Sequence, residues 1–185
     1  MNKYFDMINN LDISILKFLN SFNFGMINEL MKCASNKYFW IPFYLFFIYK
    51  IYKLKRNQFV LIMILICLLI LSCDQISSHL IKNVVQRLRP CENVELNGVL
   101  KNIGQYHGQY GFLSSHASNT FGLAAFLNGI NKKKSKKKYV YLWASIIGLS
   151  RCILGVHYPS DVLCGGILGI CIGKSFSKLF KVTSK

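Results

Sequence analysis

Three short clusters hold the residues able to do chemistry. In Ser150-Arg151-x5-His157-x3-Asp161, the histidine just precedes Pro159, a residue suited to the first turn of a helix. Asp161 lies four residues on, so its carboxylate can accept from one imidazole nitrogen and leave the other exposed. A histidine oriented in this way can act as a nucleophile and pass phosphate through a covalent intermediate. A His/Asp pair can also bind metal, but two ligands without further carboxylates or thiols make a poor site. Arg151 sits at the end of an otherwise apolar stretch, where a cation calls for an anionic partner.

The second cluster runs from Lys82 to Arg89-Pro90. Its two cations are seven residues apart, nearly two helical turns, so both can face one way while a helix lasts. A lysine point charge and a planar arginine fork suit a phosphate. Asp74, Ser78 and Lys82 recur at i+4 on the same face, which places Asp74 to hold Lys82 or a neighbouring cation. The alternative for Lys82, Arg87 and Arg89 is ordinary basic capping of a membrane interface. The third cluster is Leu113-Ser114-Ser115-His116, where a loop enters an apolar stretch. Helix-start amides with serine hydroxyls form an anion site, and His116 can protonate a leaving oxygen. Plain capping by Ser114 or Ser115 is the alternative here. Together the clusters contain what metal-free phosphate-ester chemistry needs: three cations, two histidines, an orienting carboxylate and a serine-rich turn.

The elements that must position these residues are helices in a membrane. Hydrophobic residues make up 52% of the 185, charged ones only 16%, and the formal net charge is +16. A basic balance fits nucleic-acid binding or membrane insertion, and the apolar runs decide for the membrane. Spans are expected at about 37–53, 58–80, 115–130, 139–155 and 159–180, each near the 20 residues that cross a hydrocarbon core of roughly 30 Å. The second is expected to project to about Arg87, with Pro90 limiting helix at Arg89. Residues 11–34 are amphipathic, with Leu11, Ile15, Phe18, Leu19 and Phe22 at helical spacing, and read as interfacial helices. The expected fold is therefore all-α: a polytopic transmembrane bundle of about five spans (37–185) behind an N-terminal interfacial amphipathic segment (1–36).

Charge sets the orientation. The 50–56 basic cluster, the lysines of 132–138 and the C-terminal lysines fall on one side, which the positive-inside rule makes cytoplasmic. The three chemical clusters then face outward from the plasma (inner) membrane. The lysine run reads as a solvated, topology-setting loop rather than a nucleic-acid site. Of seven cysteines, six lie in apolar surroundings and read as small hydrophobes, and Cys91 reads as an unpaired loop thiol.

At these residues the sequence resembles the type 2 phosphatidic acid phosphatase superfamily, over roughly residues 58–180. Lys82 through Arg89-Pro90 matches its Lys-x6-Arg-Pro, and Ser150-Arg151 through His157 and Asp161 matches its Ser-Arg-x5-His-x3-Asp. Leu113-Ser114-Ser115-His116 keeps the Ser and His of Pro-Ser-Gly-His but not the Pro or Gly. The resemblance implies that His157 is the nucleophile, oriented by Asp161, and that His116 is the general acid. It implies that Lys82, Arg89, Arg151, Ser114 and the Ser115 amide hold phosphate oxygens, with no metal or other cofactor; Asp74, Ser78 and Ser150 are read as supporting residues beside them. Vanadate haloperoxidases share this architecture, but the membrane character of the chain argues against them. The partner expected is a membrane lipid: undecaprenyl diphosphate first, lipid A phosphates second, and phosphatidate or phosphatidylglycerol phosphate also within the family's range. A non-catalytic transporter or scramblase would not require both histidines together with Asp161.

Overall fold

The computed structural model describes residues 3–101, 103–131 and 137–184. The lysine run expected to set topology lies mostly in 132–136, outside the described residues. Within them the fold is all-helical. The helices are α1 (Lys3–Ser21), α2 (Gly25–Ser35), α3 (Ile41–Leu54), α4 (Phe59–Asp74), α5 (Lys82–Val85), α6 (Ser115–Ile130), α7 (Lys137–Ile153) and α8 (Pro159–Thr183). A π-helical stretch, Gln75–Ile81, joins α4 to α5 without a break, so one continuous rod carries Lys82. Among the described residues two helices are long and apolar enough to cross a membrane, Arg56–Val85 and Pro159–Thr183. The rod ends at Val85, where Gln86 takes a left-handed φ of 50°, slightly before the end expected near Arg87.

Helix α6 lies at the centre, packed on α4, α7 and above all α8. Gly165, Gly169 and Gly173 recur at every fourth position of α8 and leave no room for side chains. A Cβ at Gly169 would sit 2.2 Å from the Ser118 carbonyl oxygen, and one at Gly173 2.2 Å from that of Gly122. The two helices therefore meet backbone to backbone, as small residues permit in membrane bundles. At the top of this seam the Ser114 amide donates to the Asp161 carbonyl at 3.1 Å, which fixes the start of α6 against the first turn of α8.

Aromatic residues of α3 and the preceding turn, among them Trp40, Phe43 and Tyr44, pack on Trp143 of α7. Leu45, Phe46 and Tyr49 of α3, Val60, Ile64 and Leu68 of α4, and Leu163 and Ile167 of α8 are exposed. Such a contiguous apolar outer surface suits contact with lipid rather than water. Helices α1 and α2 pack on α7, and α1 also on α8, with Leu16 and Asp12 buried. All seven cysteines are free, Cys91 included.

Candidate active site

The site forms where the turn between α7 and α8, the top of α6, the end of the α4–α5 rod and the 86–114 loop converge. Gly155, at φ 68°, reverses the chain after α7 and brings His157 under the loop. His157 is 2% exposed, and its amide donates to the Arg151 carbonyl at 3.3 Å. Asp161, fully buried, sits in the first turn of α8, where its Oδ2 accepts from the Tyr158 amide at 3.0 Å. His157 Nδ1 lies 3.5 Å from that same Oδ2, close enough for electrostatic contact but too long for a well-formed hydrogen bond. On the other edge of the ring, Arg89 Nη1 lies 3.0 Å from Nε2. A guanidinium can only donate, so Nε2 is the unprotonated nitrogen and the ring proton sits on Nδ1, facing Asp161. The nitrogen with the free electron pair is thus the one aimed at the cations.

Two of those cations are buried and the third, Lys82, is half-buried. Arg89 is 4% exposed: Nε donates to the Gly108 carbonyl at 2.8 Å, Nη1 to that of Val156 at 3.0 Å and Nη2 to that of His107 at 3.0 Å. Arg151 is 5% exposed; among the described residues it reaches the Ser35 hydroxyl and the Gln105 carbonyl, and its Nε has no partner. Lys82 Nζ donates to Ser115 Oγ at 3.0 Å. Burial, and then the charges of Arg89, Arg151 and Lys82, hold the His157 imidazole well below its ordinary range, so it is neutral in the empty site. Burial likewise lowers the Arg89 guanidinium from its ordinary value.

The three sequence clusters do meet, though not by the route expected. Lys82 and Arg89 do not share a helical face, because the helix ends between them; Arg89 comes in on the loop, where its amide donates to the Gln109 carbonyl at 2.9 Å. Asp74 does not hold Lys82 directly. Ser78 Oγ donates to Asp74 Oδ1 at 3.3 Å and lies 2.8 Å from Ser115 Oγ, so the link from acid to lysine runs through two hydroxyls. Ser114 is fully buried, and its Oγ accepts from the Ala117 amide at 3.5 Å as the cap of α6. Ser115 is instead the centre of a hydroxyl cluster with Ser77 and Ser78. Ser150 turns away, its hydroxyl donating to the Ile147 carbonyl at 2.7 Å one turn back in its own helix. His116 is exposed on the first turn of α6 and opens into a groove of about 470 Å³. Asp74, Asn119 and Thr120 line the groove near His116, and Phe43, Phe47, Ile66 and Ile70 line its apolar length.

A family model, the PAP2 superfamily, matches residues 62–184, and that span holds all three clusters. The chain belongs to the PAP2 superfamily. Two curated relatives of this PAP2 protein are lipid A 4'-phosphatases. That of Bacteroides thetaiotaomicron is 32% identical, covering 89% of this chain and 74% of its own. That of Porphyromonas gingivalis is 28% identical, covering 88% and 70%. Among solved structures, the transmembrane PAP2-type phosphatidylglycerolphosphate phosphatase of Bacillus subtilis shares the fold with a TM-score of 0.69 at 23% identity, over 97% of this chain and 88% of that one. The chain is thus a membrane phosphatase of the PAP2 family.

Four residues at the PAP2 site escape sequence reasoning or are undervalued by it: Asp12, Arg87, Ser160 and Asn119. Arg87 stands inside the Lys82–Arg89 cluster but reads as an interface cap. Asp12 carried one signal, a carboxylate beside the apolar stripe of an amphipathic segment in a chain with only seven acids.

Proposed function

We propose that the protein dephosphorylates a lipid A-type glycolipid in a multi-pass bundle, at an outward-facing site in the inner membrane. The observation that carries this reading is the junction of two surfaces at His116: the cations around His157 on one side, the apolar groove on the other. A phosphate ester placed there puts its phosphorus against His157 Nε2, its bridging oxygen beside His116 and its lipid chains in the groove.

His157 Nε2 attacks phosphorus as the bond to the bridging oxygen breaks. His116 delivers a proton to that oxygen, and the phosphoryl group stays on His157. Asp161 stabilises the ring as it becomes cationic. Lys82, Arg89 and Arg151 offset the charge gathering on the phosphoryl oxygens, and the fixed amides at the start of α6 add to this. His116, now neutral, takes a proton from the water that attacks the phosphohistidine, releasing phosphate and restoring both histidines.

Undecaprenyl diphosphate, the first expectation from sequence, gives way to lipid A for two reasons. Two relatives matched over most of their length are lipid A 4'-phosphatases. The neck of the groove is also polar: among the described residues Asn119 Oδ1 is buried without a partner, and Asp74 lines the same groove, so a sugar hydroxyl or amide fits where a second phosphate would meet a carboxylate. The test is phosphate release by detergent-solubilised protein from lipid A and from undecaprenyl diphosphate, each with and without EDTA. Faster release from lipid A, unaffected by EDTA, is expected. A higher kcat/KM on undecaprenyl diphosphate overturns the substrate assignment.

A further inference from the structure

Asp161 is fully buried, and only one of its oxygens faces His157. The other, Oδ1, accepts from Arg87 Nη1 at 2.9 Å. The Arg87 guanidinium lies over the Tyr158 ring, 3.9 Å from its centroid, and its fork serves two carboxylates at once. Nη2 donates to Asp12 Oδ2 at 2.8 Å and to Asn9 Oδ1 at 3.2 Å, and Nη1 also donates to the Ser160 hydroxyl at 2.7 Å. Asp12 in turn holds the start of α8: its Oδ1 accepts from the Ser160 amide at 2.9 Å and its Oδ2 from the Ser160 hydroxyl. Asp12 is 4% exposed and comes from α1, outside the stretch matched by the family model.

We infer that Asp12 and Arg87 are positioning residues for the nucleophile, a relay in which α1 sets the aim of Asp161 and through it of His157. An unrestrained arginine tends to grip a carboxylate with both prongs. Here Asp12 occupies Nη2, so Arg87 reaches Asp161 with Nη1 alone and Oδ2 stays turned to the imidazole. Without Asp12 the second prong is free to close on Oδ2, the oxygen His157 needs. The relay also alternates in sign, Asp12 negative, Arg87 positive, Asp161 negative, which leaves a net negative charge behind a ring that turns cationic during turnover. The N-terminal helix is in this way part of the catalytic apparatus and not only a membrane-surface attachment. This inference rests on the proposed role of His157.

The test is a double-mutant cycle between Asp12→Asn and Asp161→Asn, read in two ways: kcat for phosphate release from the lipid, and vanadate affinity by thermal shift. Asp12→Asn alone is expected to lower kcat about tenfold with KM little changed, by analogy with the loss of a partner that orients a ligating histidine. Asp12→Glu should recover part of it. In the Asp161→Asn background the same change should cost almost nothing, because its effect passes through Asp161. A purely structural role predicts the reverse: equal tenfold losses in both backgrounds and no recovery by glutamate, and that result overturns the relay. Vanadate affinity, which needs no turnover, should show the same non-additivity. His157→Ala separates the two claims: if it keeps activity, the nucleophile assignment falls, while coupling of Asp12 to Asp161 in vanadate binding still stands or fails on its own.

Discussion

Two buried arginines and the half-buried Lys82 surround one neutral imidazole, an arrangement that favours an anion. Arg151 is the clearest case: among the described residues its guanidinium has one nitrogen unpartnered and no carboxylate in contact, so it gains most from a bound phosphate. Arg151→Lys keeps the charge but loses the fork, and should lower kcat/KM about a hundredfold, roughly 3 kcal/mol by analogy with a deleted oxyanion donor. Near-normal turnover in that variant would make Arg151 an interface anchor. His157→Ala should abolish turnover together with any acid-labile phosphoenzyme, detectable by rapid quench with labelled substrate. The same residue sets a pH dependence of stability. Its folded value lies below the roughly 6.5 of a free imidazole, so as pH falls past 6.5 the unfolded chain takes up the proton first. The contribution is whole above pH 6.5 and is lost below it, at up to about 1.4 kcal/mol per pH unit. Melting curves from pH 7 to 5 should therefore slope less steeply for His157→Asn than for the wild type. What the sequence revealed at this scale was residue type and order. It left hidden which hydroxyl does what: Ser114 and Ser115 look interchangeable in the chain, but only the fold turns one into a cap and the other toward Lys82.

Among the elements, α6 and α8 matter most, because their glycine-lined seam sets the height of the Ser114 turn against Asp161. Gly169→Ala pushes a methyl into the Ser118 carbonyl and should cost about 1–3 kcal/mol, as overpacking does. A fall in melting temperature, with lower kcat in the surviving folded fraction, is the expected result; unchanged melting would mean the seam gives way freely. The five expected spans were readable from apolar runs bounded by lysines and prolines, and helix ends there fall within a few residues of the expected ones, whereas α1 begins at Lys3, eight residues before the expected amphipathic stretch. The seam was readable only in hindsight, since glycines every fourth residue also occur where helices are merely loose. Asp12 was harder still: an acid on an amphipathic helix looks like part of its wet face until the fold buries it.

For the whole molecule the proposal makes a statement about sides. In a variant stripped of its seven cysteines, a new thiol at Lys101 should react with an impermeant reagent on intact cells, and one at Lys138 should not. The reverse pattern would turn the site toward the cytoplasm. The composition already separated a membrane bundle from a soluble basic protein, because the cations cluster at the ends of apolar stretches. It did not show the polar neck beside His116, made by Asp74, Asn119 and Thr120 from two separate helices, on which the proposed preference for lipid A rests.

The π-helical stretch at Gln75–Ile81 acts as a phase shifter in the longest rod of the fold. Below it, α4 shows apolar residues all round; within it Ser77 and Ser78, and just above it Lys82, turn to Ser115. A wider turn of this kind is what one added residue leaves in an otherwise regular helix. Removing one residue between 75 and 81 would hardly alter how the rod sits among lipid chains, yet it would swing Lys82 by about 100° around the axis. The fold therefore tolerates substitution along this rod far better than it tolerates a change of length.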